Sequence, residues 1–282
     1  MDHISSRLQK RGAARDTRAV KRALVAVATA ALALQLGGGC EGEGCAAQAE
    51  TRDAPVGTVI GYVRLEPGAV VPMYPETAIA HEPLRPREAP GALPVECAGA
   101  ALEARMPVTM NERRGLSGML VTASEFRRYR PAKPKAHHVR IERCALRPQA
   151  IAMTQGDRLV LENFDAFPFA PLYGPAYEAK PLVRGARLFV PTTPATIEPL
   201  SCSSDAPCGR SDVFVLRHPV HVLTDVQGAF QIENFPAGEQ VRLTALHPLF
   251  EETETTVWVE PGQQVRVELT VRPKARFIAQ PR

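Results

Sequence analysis

Proline limits the folds open to this chain, because 26 of its 282 residues are prolines. That share is about twice the usual ~5%. Proline removes a backbone donor and interrupts helices, so this density excludes a helical bundle. In addition, no segment after residue 50 keeps the hydrophobic period of a helix. The two observations together predict a loop-rich, all-β protein.

The charge is concentrated at the start of the chain. The formal net charge is +4, from 34 basic and 30 acidic residues. Seven of the basic and two of the acidic residues lie in 1–39, which leaves 27 basic and 28 acidic residues in 40–282. A nucleic-acid binder needs a concentrated basic surface to displace phosphate counterions. The near-neutral body therefore predicts no nucleic-acid partner.

Residues 1–39 have the features of an export signal. Basic residues end at Lys21-Arg22, and an apolar run of fourteen residues, 23–36, follows. That run is too short to span a bilayer but suits the hydrophobic region of a signal peptide. Three glycines and Cys40 come next. This ending resembles a bacterial lipoprotein signal, which implies lipidation of Cys40 and attachment of the protein to a membrane.

The lipoprotein resemblance departs from the usual pattern at one position, since Leu36 lies four residues before Cys40 instead of three. Ala47-Gln48-Ala49 offers a second cleavage site, which predicts soluble secretion after cleavage at Ala49. A retained membrane helix is the third alternative. All three export residues 50–282 into an oxidising compartment, the first as an outer-membrane or periplasmic lipoprotein. Residues 40–55 are small and polar and predict a flexible tether.

The sequence of the exported part predicts a series of short strands. Residues 56–72 alternate in polarity up to a Pro-Gly turn and predict the first strand of a sandwich. Residues 73–116 are proline-rich and predict an irregular connection. From Gly118 onwards, strand-like segments recur about every 8–12 residues, which indicates β-sandwiches with Greek-key connections.

A motif near the end of the chain points to a known fold. Thr224, Asp225, Gly228 and Phe230 begin it, and Ile232, Asn234, Pro236, Gly238 and Leu243 complete it. The motif resembles the carboxypeptidase regulatory-like family, a transthyretin-like sandwich without catalytic activity. Such domains open with G-x-V-x-G-x-V, which occurs here at 57–63, far upstream. The resemblance implies a split sandwich made of 56–72 and 217–273, with a tail at 274–282.

The segment from His138 to Asn163, followed by Phe164-Asp165, is similar to a strand pair that ends in the pattern N-x-D-x-x-x-H. On these residues the intervening segment, 117–216, resembles a cupredoxin, a Greek-key sandwich. The resemblance implies that Phe169 stands where the first copper-ligating histidine would be. It also implies that the loop from Cys202 to Cys208 replaces the ligand loop C-x-x-H-x-x-M. Only Cys202 is kept in that loop, and one thiolate without an imidazole cannot hold copper. We therefore expect a degenerate cupredoxin-like domain without a cofactor, which the chain order allows to be nested in the other sandwich.

Four cysteines remain for disulfides in the exported domains: Cys97, Cys144, Cys202 and Cys208. Cys202 with Cys208 is the candidate for a loop-closing bridge, and Cys97 with Cys144 for a second. Four cysteines allow three pairings, and the sequence does not choose among them. The closure of so short a loop is worth ~2 kcal/mol in the chain-entropy picture.

Three histidines are candidates for a metal site, namely His218, His221 and His247. Two of them precede a proline in the second half of the split sandwich, where they could approach each other. Three imidazoles would suit zinc or copper. No carboxylate partner or helical spacing supports such a site, so packing or capping roles are the prediction and no metal is expected.

Two further features concern the surface and the core. Trp258, the only tryptophan, lies on a predicted strand and is assigned to the core. Arg127, Arg128, Arg130, Lys133 and Lys135 form the one local basic cluster. It is predicted to be a solvated loop, with contact to anionic lipid or polysaccharide as the alternative.

The functional prediction follows from these observations. We expect an exported, lipid-anchored, non-enzymatic envelope protein that binds carbohydrate or another envelope protein. The alternative is a copper-binding or electron-transfer protein that uses Cys202 and nearby histidines in a nonstandard cupredoxin site. No order of serine, histidine and carboxylate residues typical of a hydrolase occurs in the chain.

Overall fold

A computed structural model describes residues 48–74, 106–174, 177–178, 180–193, 195–203 and 208–277. All of them belong to one compact unit that spans residues 46–282. The strands of the described residues are β1 Ala49–Glu50, β2 Val56–Leu65, β3 Leu120–Ser124, β4 Arg128–Tyr129, β5 Ala136–Glu142, β6 Ala145–Arg147, β7 Ala150–Thr154, β8 Arg158–Asn163, β9 Pro171–Tyr173, β10 Tyr177–Glu178, β11 Arg187–Val190, β12 Thr196–Cys202, β13 Arg210–Leu216, β14 His221–Leu223, β15 Ala229–Pro236, β16 Gln240–Leu246, β17 Thr253–Trp258 and β18 Gln264–Val271. A single 3-10 turn, Ala275–Phe277, follows β18.

Strands β5 to β13 form what we call the inserted sandwich. One sheet has the order β10-β9-β12-β13-β7, and the other has the order β11-β8-β5-β6. Strand β5 alternates between exposed and buried positions, with Val139 and Ile141 buried. These side chains share one core with Leu159, Leu161 and Val213. The alternation of period two therefore supplies the inner face of each sheet.

The remaining long strands form what we call the host sandwich. Its sheets have the orders β14-β3-β16-β17 and β15-β2-β18. Strand β2 is central, because it pairs antiparallel with β15 and parallel with β18. Val59 and Val63 of β2 are buried in a core that also contains Phe235 and Leu243. The early segment thus completes a sandwich whose other strands, apart from β3, lie more than 150 residues later.

The prediction of an all-β fold made of two β-sandwiches is confirmed. The chain begins the host sandwich with β2 and β3, builds β5 to β13, and returns to the host with β14 to β18. One sandwich is therefore nested within the other. The motif that carries the carboxypeptidase regulatory-like resemblance extends from the turn before β15 to β16. In that turn, Asp225 accepts hydrogen bonds from the Gln227 and Ala229 backbone N–H groups.

The strand pairing departs from two predicted boundaries. Residues 117–216 are predicted to be cupredoxin-like, but β3 within that range pairs with β14 and β16 of the host sandwich. Its side chains Val121 and Ala123 are buried in the host core, and a short apolar strand can serve either core equally well. The predicted tether, 40–55, also ends in structure, because β1 pairs in parallel with β4.

The two sandwiches share a third, small apolar core. Leu120 from β3, Ala150 from β7 and Phe214 from β13 are buried together, and Leu223 and Leu246 of the host pack against them. Phe214 is fully buried. The inserted sandwich is therefore held to its host by side-chain packing as well as by the chain connections.

The glycines of the early motif are required by close packing. A Cβ atom on Gly61 would lie 2.0 Å from the Val267 carbonyl oxygen and 2.7 Å from Cζ of Phe230. We predict that Gly61→Ala lowers the free energy of unfolding by about 1–3 kcal/mol, because backbone must move to make room. Urea denaturation of the variant measures this. Thr58→Ala on the same strand, which is half-buried, is the control, and equal effects of the two substitutions would contradict the explanation.

Candidate functional site

The first candidate site is a depression beside Trp258, which we call the Trp depression. Its volume is about 530 Å3. It is lined by Pro55, Glu125, Arg127, Arg128, Ala237, Gly238, Glu239, Gln240 and Trp258. The Trp258 side chain is 54% exposed. The assignment of Trp258 to the core is therefore wrong, because Val257 and Val259 are the buried neighbours and alternation turns the residue between them outward.

The walls of the Trp depression come from four different segments. Trp258 lies at the end of β17 directly opposite Gln240 of β16. The turn at Gly238, with φ +78°, connects β15 to β16. Glu239 accepts a hydrogen bond from the Arg127 backbone N–H at 3.2 Å, which ties this turn to the segment before β4. The ring thus stands beside planar polar side chains that other strands hold in place.

A second cavity, also of about 530 Å3, lies where the two sandwiches meet, and we call it the inter-sandwich cleft. The inserted sandwich contributes residues of β5 and β7 and the turn after β7, and the host contributes β14 and the end of β15. Charged and polar side chains around it belong to Arg130, Lys133, Lys135, His137, Thr154, Gln155, Asp157, His221, Glu233 and Asn234. The cleft therefore belongs to both sandwiches.

Two polar contacts organise the inter-sandwich cleft. His137 Nε2 lies 2.8 Å from Asp157 Oδ2. Burial alone would raise the pKa of Asp157, but hydrogen bonds from the Lys135 and Thr154 backbone and from His137 lower that pKa below its ordinary value. Thr154 Oγ1 lies 3.0 Å from His221 Nε2, a contact that joins β7 to β14 across the two sandwiches.

His221 is held neutral at this position. Burial lowers its pKa to about 4, and the charges of His218, His137 and Lys135 act in the same direction against the opposing effect of Asp157. Its Nδ1 atom is buried and has no hydrogen-bond partner among the described residues. Since a neutral imidazole carries one proton, His221 can either donate or accept one further hydrogen bond.

The three candidate histidines have three different environments. His218 packs against the Phe126 ring at 5.0 Å between centroids, and burial lowers its pKa to about 4. His221 contacts Thr154, whereas His247 lies against Asp212. Among the described residues, no group of three or more His, Cys, Asp or Glu side chains could hold a metal ion.

A buried cluster around Asp212 connects three distant segments. Tyr74 donates its hydroxyl to Asp212 Oδ2 at 2.8 Å, Arg210 donates Nε to Oδ1 at 2.9 Å, and His247 Nε2 lies 3.1 Å from Oδ2. The side chains of Asp212 and His247 are both 0% exposed. Asp212 belongs to the inserted sandwich, whereas His247 follows β16 of the host. The cluster therefore joins the sandwiches and is closed to any substrate.

The charge of Asp212 is maintained despite its burial. Burial alone would raise the pKa of Asp212, but the contact with His247, the Arg210 charge and the Tyr74 hydroxyl outweigh it and lower that pKa. Burial and the Asp212 charge raise the pKa of Tyr74 well above its ordinary range. The Arg210 guanidinium also lies 3.6 Å from the centroid of the Tyr74 ring. The carboxylate thus remains ionised because it is fully surrounded by donors.

The residues that the cupredoxin resemblance aligns with copper ligands lie in a disulfide loop and in an apolar core. Cys202 and Cys208 form a disulfide, which confirms that candidate pair. Phe169 is fully buried and packs edge-on against Phe167 at 5.5 Å. Neither sulfur of a disulfide can act as a copper thiolate. Cys144 is also disulfide-bonded and 1% exposed, while Cys97 and the lipidation candidate Cys40 lie outside the described residues.

Two features of these sites escaped the sequence analysis for different reasons. The alternation T-T-V-W-V already places Trp258 on the face opposite its valine neighbours, so period two could have identified its exposure. Asp212 gives no such signal, because its partners Tyr74 and His247 lie 138 and 35 positions away in the sequence. Its role depends on how the sandwiches meet.

Comparisons with known proteins assign no function to this chain. No protein-family model matches the chain, and no curated protein matches it. One similar solved structure is a Cu-containing nitrite reductase from Thermus scotoductus SA-01, with 17% identity over 30% of this chain and 23% of that chain and a TM-score of 0.27. Another is a novel purple cupredoxin from Nitrosopumilus maritimus, with 16% identity over 28% of this chain and 97% of that chain and a TM-score of 0.25. These TM-scores are too low to carry an argument.

No helix in the described part of the chain is long and apolar enough to cross a bilayer. The described residues thus define a two-sandwich β protein with two open polar cavities at its surface.

Proposed function

We propose that this protein is an exported, non-enzymatic binding module of the cell envelope, and that its ligand is a carbohydrate bound at the Trp depression. The exposure of Trp258 carries the proposal. A tryptophan ring is the largest apolar side chain, and leaving 54% of it exposed forgoes much of its burial energy. Its position beside polar groups in a depression, instead of on an open face, favours a ligand that is partly apolar and partly hydroxylated.

Carbohydrates meet these requirements. The C–H faces of a sugar ring stack on an aromatic ring, and its hydroxyl groups need planar donors and acceptors at the ring's edge. The Trp depression offers the carboxylates of Glu125 and Glu239, the Gln240 amide and the Arg127 guanidinium. Glu125 is held by a 2.7 Å ion pair with Arg242, which fixes its orientation. Such an arrangement supplies hydrogen-bond partners for the hydroxyl groups of a sugar.

The proposed location rests on the export signal in 1–39 and on Cys40 as the lipid attachment point. Strand β1 supports lipidation at Cys40 over cleavage at Ala49. The Ala49 backbone N–H donates to the Arg127 carbonyl at 2.8 Å, and that of Thr51 donates to Tyr129 at 2.9 Å. Cleavage after Ala49 would remove the first of these bonds, whereas lipidation at Cys40 keeps both.

The first test is a substitution of the aromatic ring. We predict that Trp258→Ala weakens binding to soluble neutral oligosaccharides by at least about tenfold, because ~1.4 kcal/mol of stacking is lost. Isothermal titration calorimetry against a panel of neutral glucans and galactans measures the loss. Phe189→Ala is the matched control, since Phe189 is an aromatic residue 65% exposed on the inserted sandwich.

The control distinguishes binding at the Trp depression from non-specific binding to an exposed aromatic residue. Phe189→Ala is expected to bind like the unmodified protein. Equal affinity of the Trp258→Ala variant and the unmodified protein would refute the Trp depression as the site. A failure of the unmodified protein to bind any member of the panel, together with capture of an envelope protein through Trp258, would replace carbohydrate by protein as the ligand.

A further inference from the structure

The two cavities share one basic segment. Residues 126–141 contain six basic residues and no acidic one, although residues 40–282 as a whole are neutral within one charge. Arg127 and Arg128 line the Trp depression. Arg130, Lys133 and Lys135 line the inter-sandwich cleft. The one local concentration of positive charge therefore lies on the walls of both cavities.

These five cations are not held in ion pairs in the described part of the chain, although the Glu125 and Glu239 carboxylates line the Trp depression with Arg127 and Arg128. Among the described residues, none of the five takes part in a side-chain ion pair, whereas Arg64, Arg187 and Arg242 each contact a glutamate within 3.3 Å. All five are exposed. Like charges close together raise the local positive potential and attract anions.

The cavities are also close to each other in the fold. Arg130 lines the inter-sandwich cleft, and its Nε donates to the Ala54 carbonyl at 3.1 Å. Pro55, the next residue, lines the Trp depression. On the opposite side, Asn234 of β15 lines the cleft and Ala237, directly after β15, lines the depression. One extended ligand can therefore contact both cavities along the basic segment.

The inter-sandwich cleft has hydrogen-bond capacity for an anionic group. His221 Nδ1 is buried without a partner among the described residues. When Thr154 donates its hydroxyl to Nε2, the ring proton lies on Nδ1 and becomes a donor. Asp157 is already compensated by His137 and two backbone N–H groups. Glu233 is the remaining carboxylate at the cleft, against three cations.

We propose that the carbohydrate ligand is an acidic polysaccharide, whose carboxylate groups bind in the inter-sandwich cleft and along the basic segment while one of its sugar rings stacks on Trp258. This inference rests on the proposed function and adds the substrate class. Exposed cations attract a polyanion over about one Debye length, so the binding depends on salt. Neutral glycans use the Trp depression alone.

The test compares two forms of one polymer. Polygalacturonate carries a carboxylate on each sugar, and its methyl ester has the same backbone without the charge. We expect the full-length protein to bind polygalacturonate at least about tenfold more tightly than the ester at ~0.05 M salt, and the difference to vanish at ~0.5 M salt. Lys133→Gln with Lys135→Gln is expected to remove the preference and to leave ester binding unchanged.

A matched double variant controls for net charge. Lys180→Gln with Arg184→Gln removes two exposed cations from the inserted sandwich and is expected to keep the preference. Equal binding of both polymers, lost in Trp258→Ala, would overturn the acidic ligand and leave the proposed function intact. Loss of the preference in both double variants would overturn the cleft as the anion site. Lysine-dependent binding to phosphatidylglycerol vesicles without polymer binding would replace the polysaccharide by a membrane surface.

Discussion

Replacing Asp212 with alanine is expected to lower the free energy of unfolding by about 3–5 kcal/mol, the usual cost of breaking a buried, hydrogen-bonded charge cluster. The carboxylate is fully buried and has three side-chain partners. Its removal leaves the Tyr74 hydroxyl without its acceptor and the charge of Arg210 without compensation. The Tyr74 hydroxyl would then be buried unpaired and the Arg210 guanidinium, 19% exposed, would be partly buried without a counter-charge, which costs more than the lost attraction itself.

The matched control is an ion pair at the surface. Glu268 lies 2.7 Å from Arg64, but both side chains are more than a third exposed. Glu268→Ala is therefore expected to change the free energy of unfolding by about 0–1 kcal/mol. Urea denaturation of both variants at neutral pH measures the two values. Equal losses of unfolding free energy in the two variants would contradict the conclusion that the buried Asp212 cluster stabilises the interface between the sandwiches.

The Asp212 cluster also bears on how the two sandwiches depend on each other. Asp212 neighbours Phe214, the centre of the apolar core between the sandwiches, on the same strand. The interface thus combines apolar packing with a charge cluster whose geometry fixes the register of one sandwich against the other. The inter-sandwich cleft is formed by both partners, so its shape depends on this interface. A weakened interface between the sandwiches is therefore expected to alter the shape of the inter-sandwich cleft more than that of the Trp depression.

The host sandwich could be predicted because the glycine and turn positions in its sequence agree with the way its strands pair. Gly57 and Gly61 lie where a Cβ atom would collide with neighbouring atoms. Asp225 accepts a backbone hydrogen bond that closes a tight turn. The assignment of β3 was wrong because a five-residue apolar strand carries no information on which of two cores it will fill. Strand alternation is a local property, whereas the choice of sheet depends on pairing far away in sequence.

The candidate sites were predictable only in part. The basic cluster and the disulfide loop are contiguous in sequence, so their residues could be named in advance. The inter-sandwich cleft brings His137 and Asp157 next to His221 only after the inserted sandwich has packed on its host. Trp258 was misassigned because a general preference of tryptophan for burial was placed above the alternation of its own strand.

Acidification below pH 6.5 is expected to destabilise the protein through two buried histidines. The pKa of His218 and that of His221 are each lowered from 6.5 to about 4, mainly by burial. Between these values the unfolded chain binds more protons than the folded one, so stability falls as pH falls. A shift of this size corresponds to about 3 kcal/mol for each histidine by pH 4.

The two lowered carboxyl pKa values act in a separate pH range. Asp157 and Asp212 have folded pKa values below their ordinary 3.8. The stability they contribute is present above that ordinary value and is lost only as pH falls through their lowered pKa values. Any loss of stability between pH 6.5 and about 4 is therefore assigned to the histidines, with His218 and His221 also repelling each other once both are charged.

The measurement is the free energy of unfolding by urea at pH 7, 6, 5 and 4.5, in the unmodified protein and in His218→Gln and His221→Gln. A glutamine keeps a polar side chain but does not titrate, so each substitution is expected to remove its share of the slope. His138→Gln, at an exposed position on β5, should leave the slope unchanged. A flat profile in the unmodified protein would contradict the prediction, because it would mean that acid charges these rings as readily inside the fold as in the unfolded chain.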